Sequence, residues 1–248
     1  MDRYGLIGYP LGHSFSQKYF TEKFDRESID ARYDLFPLTK IEEVEQLIDN
    51  TPGLRGFNVT IPYKQQIIKY LDGMDEEAKA IGAVNVVAVR HAADGRAILT
   101  GHNSDTYGFT ESIRPLLKET DKKALVLGSG GASKAVTYSL KKLGVDTVVV
   151  SRHPTAGQMA YADIDAAVLK DYTVVVNASP VGMFPCADEC PDIPYNLLTD
   201  RHVCFDLVYN PEETLFLKRA AERGASVKNG LEMLHLQAEG AWKMWQQD

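Results

Sequence analysis

Apolar and polar positions alternate with two different periods along the chain, and each change of period marks an element. Residues 3–8, 31–36 and 56–61 are short runs rich in apolar residues, as in strands. Residues 15–29 have helical spacing. Residues 41–48 read as a second helix, opened by Thr39 with Glu42 three residues on, a capping box. Pro62 follows the third strand where a helix would start. Residues 82–90 and 96–101 flank Asp94-Gly95, which predicts a hairpin with a two-residue turn. A helix is expected over 104–117. From Lys122 onward strand and helix alternate strictly, with strands at 124–127, 146–150, 173–176 and 203–207 and helices at 132–143, 211–223 and 231–245. The near-continuous apolar runs are those of parallel strands covered on both faces. The fold class is therefore α/β, as two α/β lobes with a cleft between them. One boundary is expected near Ser104. A second is expected near Gly230, where Asn229-Gly230 sets the last helix apart.

Composition narrows the function classes. The chain has 248 residues, 44% hydrophobic and 25% charged, as an ordinary globular protein does. Lys plus Arg is 27 against Asp plus Glu 34, a net charge of −7 that argues against a nucleic-acid partner. No apolar run approaches the roughly 20 residues that span a bilayer, and no charged segment followed by an apolar stretch opens the chain. No membrane role and a cytoplasmic setting are expected. Cys186 and Cys190 have neither zinc nor redox spacing, and Cys204 sits in an apolar run, so three free thiols are expected. The six histidines are scattered and none pairs at ligand spacing, so no metal is expected.

Leu125-Val126-Leu127-Gly128-Ser129-Gly130-Gly131-Ala132-Ser133 is a strand, a glycine-rich turn and a helix start. Glycines let the backbone approach a pyrophosphate, and a helix N-terminus offers free N–H groups and partial positive charge. A second strand about 20 residues on gives the context of dinucleotide binding, the alternative being a structural tight turn. At the end of that strand stand Ser151-Arg152-His153, with no carboxylate until Asp163. An arginine there matches the 2′-phosphate of NADP in charge and forked geometry, whereas NAD would call for an acid; the alternative is a solvated surface arginine.

In Phe57-Asn58-Val59-Thr60-Ile61-Pro62-Tyr63-Lys64, strand alternation sends Phe57, Val59 and Ile61 to one face and Asn58 and Thr60 to the other. Lys64 would then fall in the first turn of a helix, where a cation opposes the helix dipole; that points to a functional lysine or to an exposed one. Asp105 is a candidate catalytic carboxylate or a plain helix cap. Ser14 and Ser16 are candidate ligand contacts or caps of the first helix, and His13 beside them reads as a turn residue. Gln237 lies on the apolar stripe of Leu234, Ala238, Ala241, Trp242 and Trp245, where it needs a polar partner.

Taken together these segments resemble the shikimate dehydrogenase family. The matching motifs occur in the family's order: Gly12-His13-Ser14-Phe15-Ser16, Asn58 to Lys64, Gly82-Ala83-Val84-Asn85, Asn103-Ser104-Asp105, Gly128 to Ala132, Asn177-Ala178-Ser179-Pro180, Asp206-Leu207-Val208-Tyr209 and Gly230-Leu231 with Gln237. The resemblance implies reduction of 3-dehydroshikimate to shikimate with NADP(H), by a monomer or homodimer. It implies a substrate-binding and catalytic domain over 1–104 with 231–248, and a Rossmann-like NADP-binding domain over 105–230. Lys64 and Asp105 would be the catalytic pair. Ser14 and Ser16, with Tyr209, would bind the substrate carboxylate, and Thr60, Asn85 and Gln237 the ring hydroxyls. Gly128, Ser129, Gly130, Gly131 and Ala132 would cradle the pyrophosphate, Ser151 and Arg152 the adenosine phosphate, and Glu76, Leu207 and Gly230 would touch the cofactor. The chain departs from the family pattern in Ser104 and Thr106, where threonine and glycine are usual, and in Ala156, where a second arginine is usual. Its shortness predicts a trimmed helix before residue 173. An NAD-preferring quinate/shikimate dehydrogenase is the nearest alternative, and a non-catalytic NADP-binding regulator the alternative from another class.

Overall fold

In the computed structural model, which describes residues 1–12 and 14–247, the N-terminal alternation folds into a six-stranded mixed sheet. Its elements in chain order are β1 (Asp2–Gly8), α1 (Phe15–Glu27), β2 (Ala31–Pro37), α2 (Glu43–Asp49), β3 (Leu54–Val59), β4 (Gly73–Met74), α3 (Glu76–Ile81), β5 (Val86–His91) and β6 (Ala97–His102). β1 lies between β2 and β3 in parallel, β3 pairs antiparallel with β5 and β5 with β6, and β4 closes the edge beside β6. The two-residue period assigns side chains to two cores. Ile7, Phe57, Val59, Val87 and Val89 enter one with Val44 and Ile67. Tyr4, Leu6, Val86 and Ala88 enter the other, against Phe20, Phe24 and Trp245.

Trp245 is 2% exposed, and its Nε1 donates to the Val87 carbonyl at 3.1 Å. Gly56 makes this seat: a Cβ there would collide with the indole and lie 2.8 Å from the Val87 oxygen. Gly56→Ala is therefore expected to lower unfolding free energy by about 1–3 kcal/mol, the usual cost of overpacking. A denaturant titration with an unchanged midpoint would contradict this seating of Trp245.

The remaining elements are α4 (Asp105–Ile113), β7 (Lys123–Leu127), α5 (Gly131–Lys142), β8 (Asp146–Ser151), β9 (Met159–Ala160), α6 (Ala166–Asp171), β10 (Val174–Asn177), β11 (Val203–Asp206), α7 (Leu215–Ala221), β12 (Ser226–Lys228) and α8 (Leu231–Trp245). The strands form an all-parallel sheet in the order β12-β11-β10-β7-β8-β9. This is a Rossmann-like order, and its direction reverses between β7 and β10, the switch point at which open α/β sheets bind ligands beyond the strands' C-terminal ends.

Several local expectations need correction. Thr39 donates its backbone N–H and hydroxyl to Glu43, not Glu42, and α2 starts one turn later than a cap at Thr39 requires. The hairpin loop has three residues rather than two: Gly95 N–H donates to Ala92 O and Ala92 N–H to Arg96 O, with Gly95 at φ 86°. α4 ends at Ile113 and a single 3₁₀ turn carries Pro115, which has no N–H to extend an α-helix. α7 starts at Leu215, capped by Thr214, four residues after Pro211. The trimmed helix expected before residue 173 is present as α6, of six residues.

The chain divides into two units, Met1–Ser104 with the segment from Ala238 onward, and Asp105–Gln237. The second division falls inside α8 rather than before it at 230/231. Met233, early in α8, packs in the core of Phe109 and Phe205. Ala238, Ala241 and Trp245 pack with Tyr4 and Phe20 instead, so the helix changes cores within its length.

Candidate active site

In the N-terminal unit the candidate residues gather at the C-terminal ends of β1 and β3. Ser14 caps α1, its Oγ accepting from Gln17 N–H at 3.3 Å. Ser16 is hydrogen-bonded to Tyr33, whose hydroxyl donates to Asn58 Oδ1 at 2.8 Å. Burial pushes the Tyr33 phenol well above its ordinary range, so it stays a neutral donor. Asn58 Nδ2 in turn donates to the Asn85 carbonyl at 3.2 Å. Tyr33, which bonds two of the candidate segments, was not singled out from sequence, because an aromatic in a strand reads as core. His13 lies outside the described residues.

β3 ends at Val59, so Ile61 does not share the buried face of Phe57 and Val59; it is 70% exposed. Lys64 is half-buried but stands in a turn, not in a helix. Its carbonyl accepts from Val84 N–H at 2.7 Å and so is not available to Ile68, which bonds Gln65 instead in a 3₁₀ turn over Gln66–Tyr70. The helix-dipole argument for Lys64 therefore does not apply. What sets its place is that backbone bond, which ties it to the segment leading to Asn85. Thr60 is fixed by its backbone, its N–H donating to Ile7 O and its carbonyl accepting from Tyr63 N–H.

Asn85 is 5% exposed and its Oδ1 accepts from Ser104 N–H at 2.8 Å. Asn103, 1% exposed, donates from Nδ2 to the Ala83 carbonyl at 2.9 Å. These bonds hold the residues just before Asp105. Glu76 opens α3 beside its cap Asp75, is highly exposed, and pairs with Lys79 at 2.7 Å.

In the second unit Asp105 is the first residue of α4 and is 1% exposed, where the helix dipole favours a carboxylate. Gly108, not singled out from sequence, makes room for Gln237: a Cβ there would lie 2.8 Å from Gln237 Cγ. Leu207 and Gly230 are brought together, since a Cβ at Gly230 would lie 2.7 Å from the Leu207 carbonyl carbon. Tyr209 stands two residues on, 37% exposed. The turn that carries both starts at Asp206, fully buried. Its carboxylate accepts from Asn177 Nδ2 at 2.9 Å, Val208 N–H at 3.0 Å and the Thr214 hydroxyl at 2.6 Å. Burial outweighs those three donors and pushes its pKa up to about 6.

The glycine loop fits a dinucleotide. Gly128 has φ 112°, a left-handed value that glycine adopts without strain, and a Cβ there would lie 3.2 Å from Ala178. Gly130 caps α5 with no side-chain bond, and a Cβ there would meet nothing within 4 Å. Ser129 is exposed, and Gly131 and Ala132 begin the helix. Backbone N–H groups at the start of α5 thus face open space, as a pyrophosphate requires. Ser151 ends β8 and its Oγ accepts from His153 N–H at 3.2 Å. Arg152 is exposed, and among the described residues it makes no ion pair. Asp163, the next acid, accepts from Ala160 N–H at 3.1 Å. Cys186, Cys190 and Cys204 are free thiols. Among the described residues no group of three His, Cys, Asp or Glu could hold a metal ion, and no helix is long and apolar enough to cross a membrane.

The chain is similar to known proteins along nearly its whole length. Residues 6–87 match the family model of the shikimate dehydrogenase substrate binding domain. The shikimate dehydrogenase (NADP(+)) of Caldanaerobacter subterraneus subsp. tengcongensis is 35% identical over 260 residues, covering 98% of this chain and 90% of that protein. The crystal structure of shikimate 5-dehydrogenase from Thermus thermophilus in complex with NADP(H) and shikimate is 30% identical with a TM-score of 0.85, covering 99% and 94%. That of the Listeria monocytogenes enzyme in complex with shikimate and NAD is 27% identical with a TM-score of 0.84, covering 98% and 91%. With relatives of this likeness along nearly its whole length, and a fold that agrees with theirs, the chain belongs to the shikimate dehydrogenase family.

Proposed function

We propose that the protein catalyses the reversible, NADPH-dependent reduction of 3-dehydroshikimate to shikimate, a step toward chorismate and the aromatic amino acids, in the cytoplasm and as a monomer or homodimer. The observation that carries this reading is the presence of Lys64, held by its backbone bond to Val84, and of Asp105, buried at the start of α4, in a chain whose second unit has a glycine loop at a helix start. When bound, NADPH supplies a hydride to the ring carbonyl carbon. The Lys64 ammonium stabilises charge developing on the carbonyl oxygen and donates the proton there. Asp105 orients the neighbouring hydroxyl of the substrate. Ser14, Ser16 and Tyr209 hold the substrate carboxylate, and Thr60, Asn85 and Gln237 the ring hydroxyls. Glu76, Leu207 and Gly230 border the cofactor, Gly128 to Ala132 take its pyrophosphate, and Ser151 and Arg152 its 2′-phosphate. Residues 1–104 with the end of α8 then form the substrate domain, and the second unit the NADP domain.

A steady-state assay at the nicotinamide absorbance band tests this directly. Shikimate with NADP is expected to turn over with a higher kcat/KM than quinate with NADP or either acid with NAD. A preference for quinate and NAD would favour the quinate/shikimate dehydrogenase reading, which the alanine at position 156 suggests. No turnover in any combination would leave a binding protein.

The carboxylate pocket has its own test. Ser16→Ala is expected to raise KM for shikimate with little change in kcat, the signature of lost uniform binding. Ser14→Ala should do the same and also lower stability by about 1 kcal/mol, because its Oγ caps α1. If Ser14→Ala melts earlier but binds shikimate normally, the hydroxyl serves the helix alone.

A further inference from the structure

The second unit holds a cavity of about 430 Å³ at the end of its sheet opposite the glycine loop. Its lining comes from the N-terminal ends of three neighbouring strands: Lys118 to Lys123 lead into β7, Thr173 precedes β10 and Arg201 precedes β11, with Lys170 and Asp171 from the end of α6. Strands of four and five residues separate it from the loop by roughly 15 Å.

The lining has five cations, Lys118, Lys122, Lys123, Lys170 and Arg201, against two carboxylates, in a chain whose net charge is −7. Lys123 is taken, by Asp171 at 3.1 Å. Asp121 is 3% exposed and its oxygens accept from the Thr173 hydroxyl at 2.6 Å and Lys118 N–H at 2.8 Å, so it anchors the wall. The remaining cations, Lys118, Lys122, Lys170 and Arg201, make no ion pair among the described residues. Like charges set around a concavity repel one another at a cost that a bound anion removes, and the concavity focuses their field. The lining offers no aromatic face on which a base could stack, but it adds the Thr120 hydroxyl to the cations. Compact ammonium charges and one guanidinium fork are the groups that hold phosphate. The volume falls within the range of small-ligand sites.

We propose that this cavity is a second anion site, separate from the dinucleotide loop, that binds a small molecule carrying two or more phosphate groups. The proposal does not depend on the catalytic reading. It is tested by calorimetric titration of the full chain with tripolyphosphate, fructose 1,6-bisphosphate or sulfate, the Lys170→Ala/Arg201→Ala variant separating binding here from binding at the glycine loop. The two phosphate probes distinguish an inorganic ligand from a sugar phosphate. Binding of at least one of them is expected, weakened by added salt and about tenfold or more weaker in Lys170→Ala/Arg201→Ala, where two exposed charge contacts are lost. NADP affinity and melting temperature should be unchanged in that variant, because both side chains are exposed and neither belongs to the loop. Failure of both phosphates to bind, binding undiminished in the variant, or sulfate binding equally well would overturn the proposal. An acidic peptide that binds where both phosphates fail would also overturn it, and assign the surface to a protein partner.

Discussion

Replacing Lys64 by alanine is expected to lower kcat by about 10²–10⁴, the range for a positioned acid–base group, with a smaller change in KM. The side chain is the part of Lys64 that the reaction uses, whereas the fold uses its carbonyl, which accepts from Val84 N–H at 2.7 Å. Truncation leaves that bond in place, so the variant should fold and bind shikimate. Its loss should therefore be confined to the step in which charge develops on the substrate oxygen. Lys64→Arg keeps the charge but neither the compact donor nor its reach, and should recover only a small part of the rate. Steady-state kinetics with a melting curve for each variant would check this. A Lys64→Ala enzyme with wild-type kcat would remove Lys64 from the chemistry. One with lowered kcat and a collapsed melting temperature would mean that the side chain serves the turn.

Arg152→Leu is expected to weaken NADP binding by about 10- to 150-fold, the equivalent of one charge-assisted hydrogen bond of about 1.5–3 kcal/mol, and to leave NAD nearly untouched. Position 156, where a second arginine would help, is alanine, so Arg152 must supply most of the charge contact with a 2′-phosphate. Ser151→Asp combined with Arg152→Leu should go further, because a carboxylate repels the phosphate and accepts from the 2′-hydroxyl of NAD. An aspartate can still accept from His153 N–H as Ser151 does at 3.2 Å, so the loop should persist. Values of kcat/KM for both cofactors, with direct titration of each, decide the matter. A wild type that already prefers NAD, or NADP use unchanged in Arg152→Leu, would refute the role of Arg152.

The glycine loop and the parallel strands were legible in sequence because their signals are local: glycines between an apolar run and a helical one, and apolar residues on both faces of a strand. The setting of Lys64 was not. Proline after a strand looks like a helix start, but a distant backbone donor, Val84 N–H, takes the carbonyl that a helix would need. Tyr33 was unreadable for a related reason. Its hydroxyl meets Asn58 across the sheet, and nothing near it in sequence separates a bonded tyrosine from a packed one. Gly108 and Gly56 became meaningful only once Gln237 and Trp245 lay against them. The change of cores within α8 was invisible too, because both halves of the helix carry the same apolar stripe.

That change of cores bears on how the protein is made. The second unit is one unbroken stretch of chain and holds all of its own parts by Gln237. The first unit does not: Tyr4 and Phe20 wait for Trp245, more than two hundred residues later, before their core is closed. On a ribosome the earlier sequence is therefore the later to mature. Tyr4, Phe20 and the seat at Gly56 have no Trp245 to cover them until it emerges, and apolar surface left uncovered during synthesis favours aggregation.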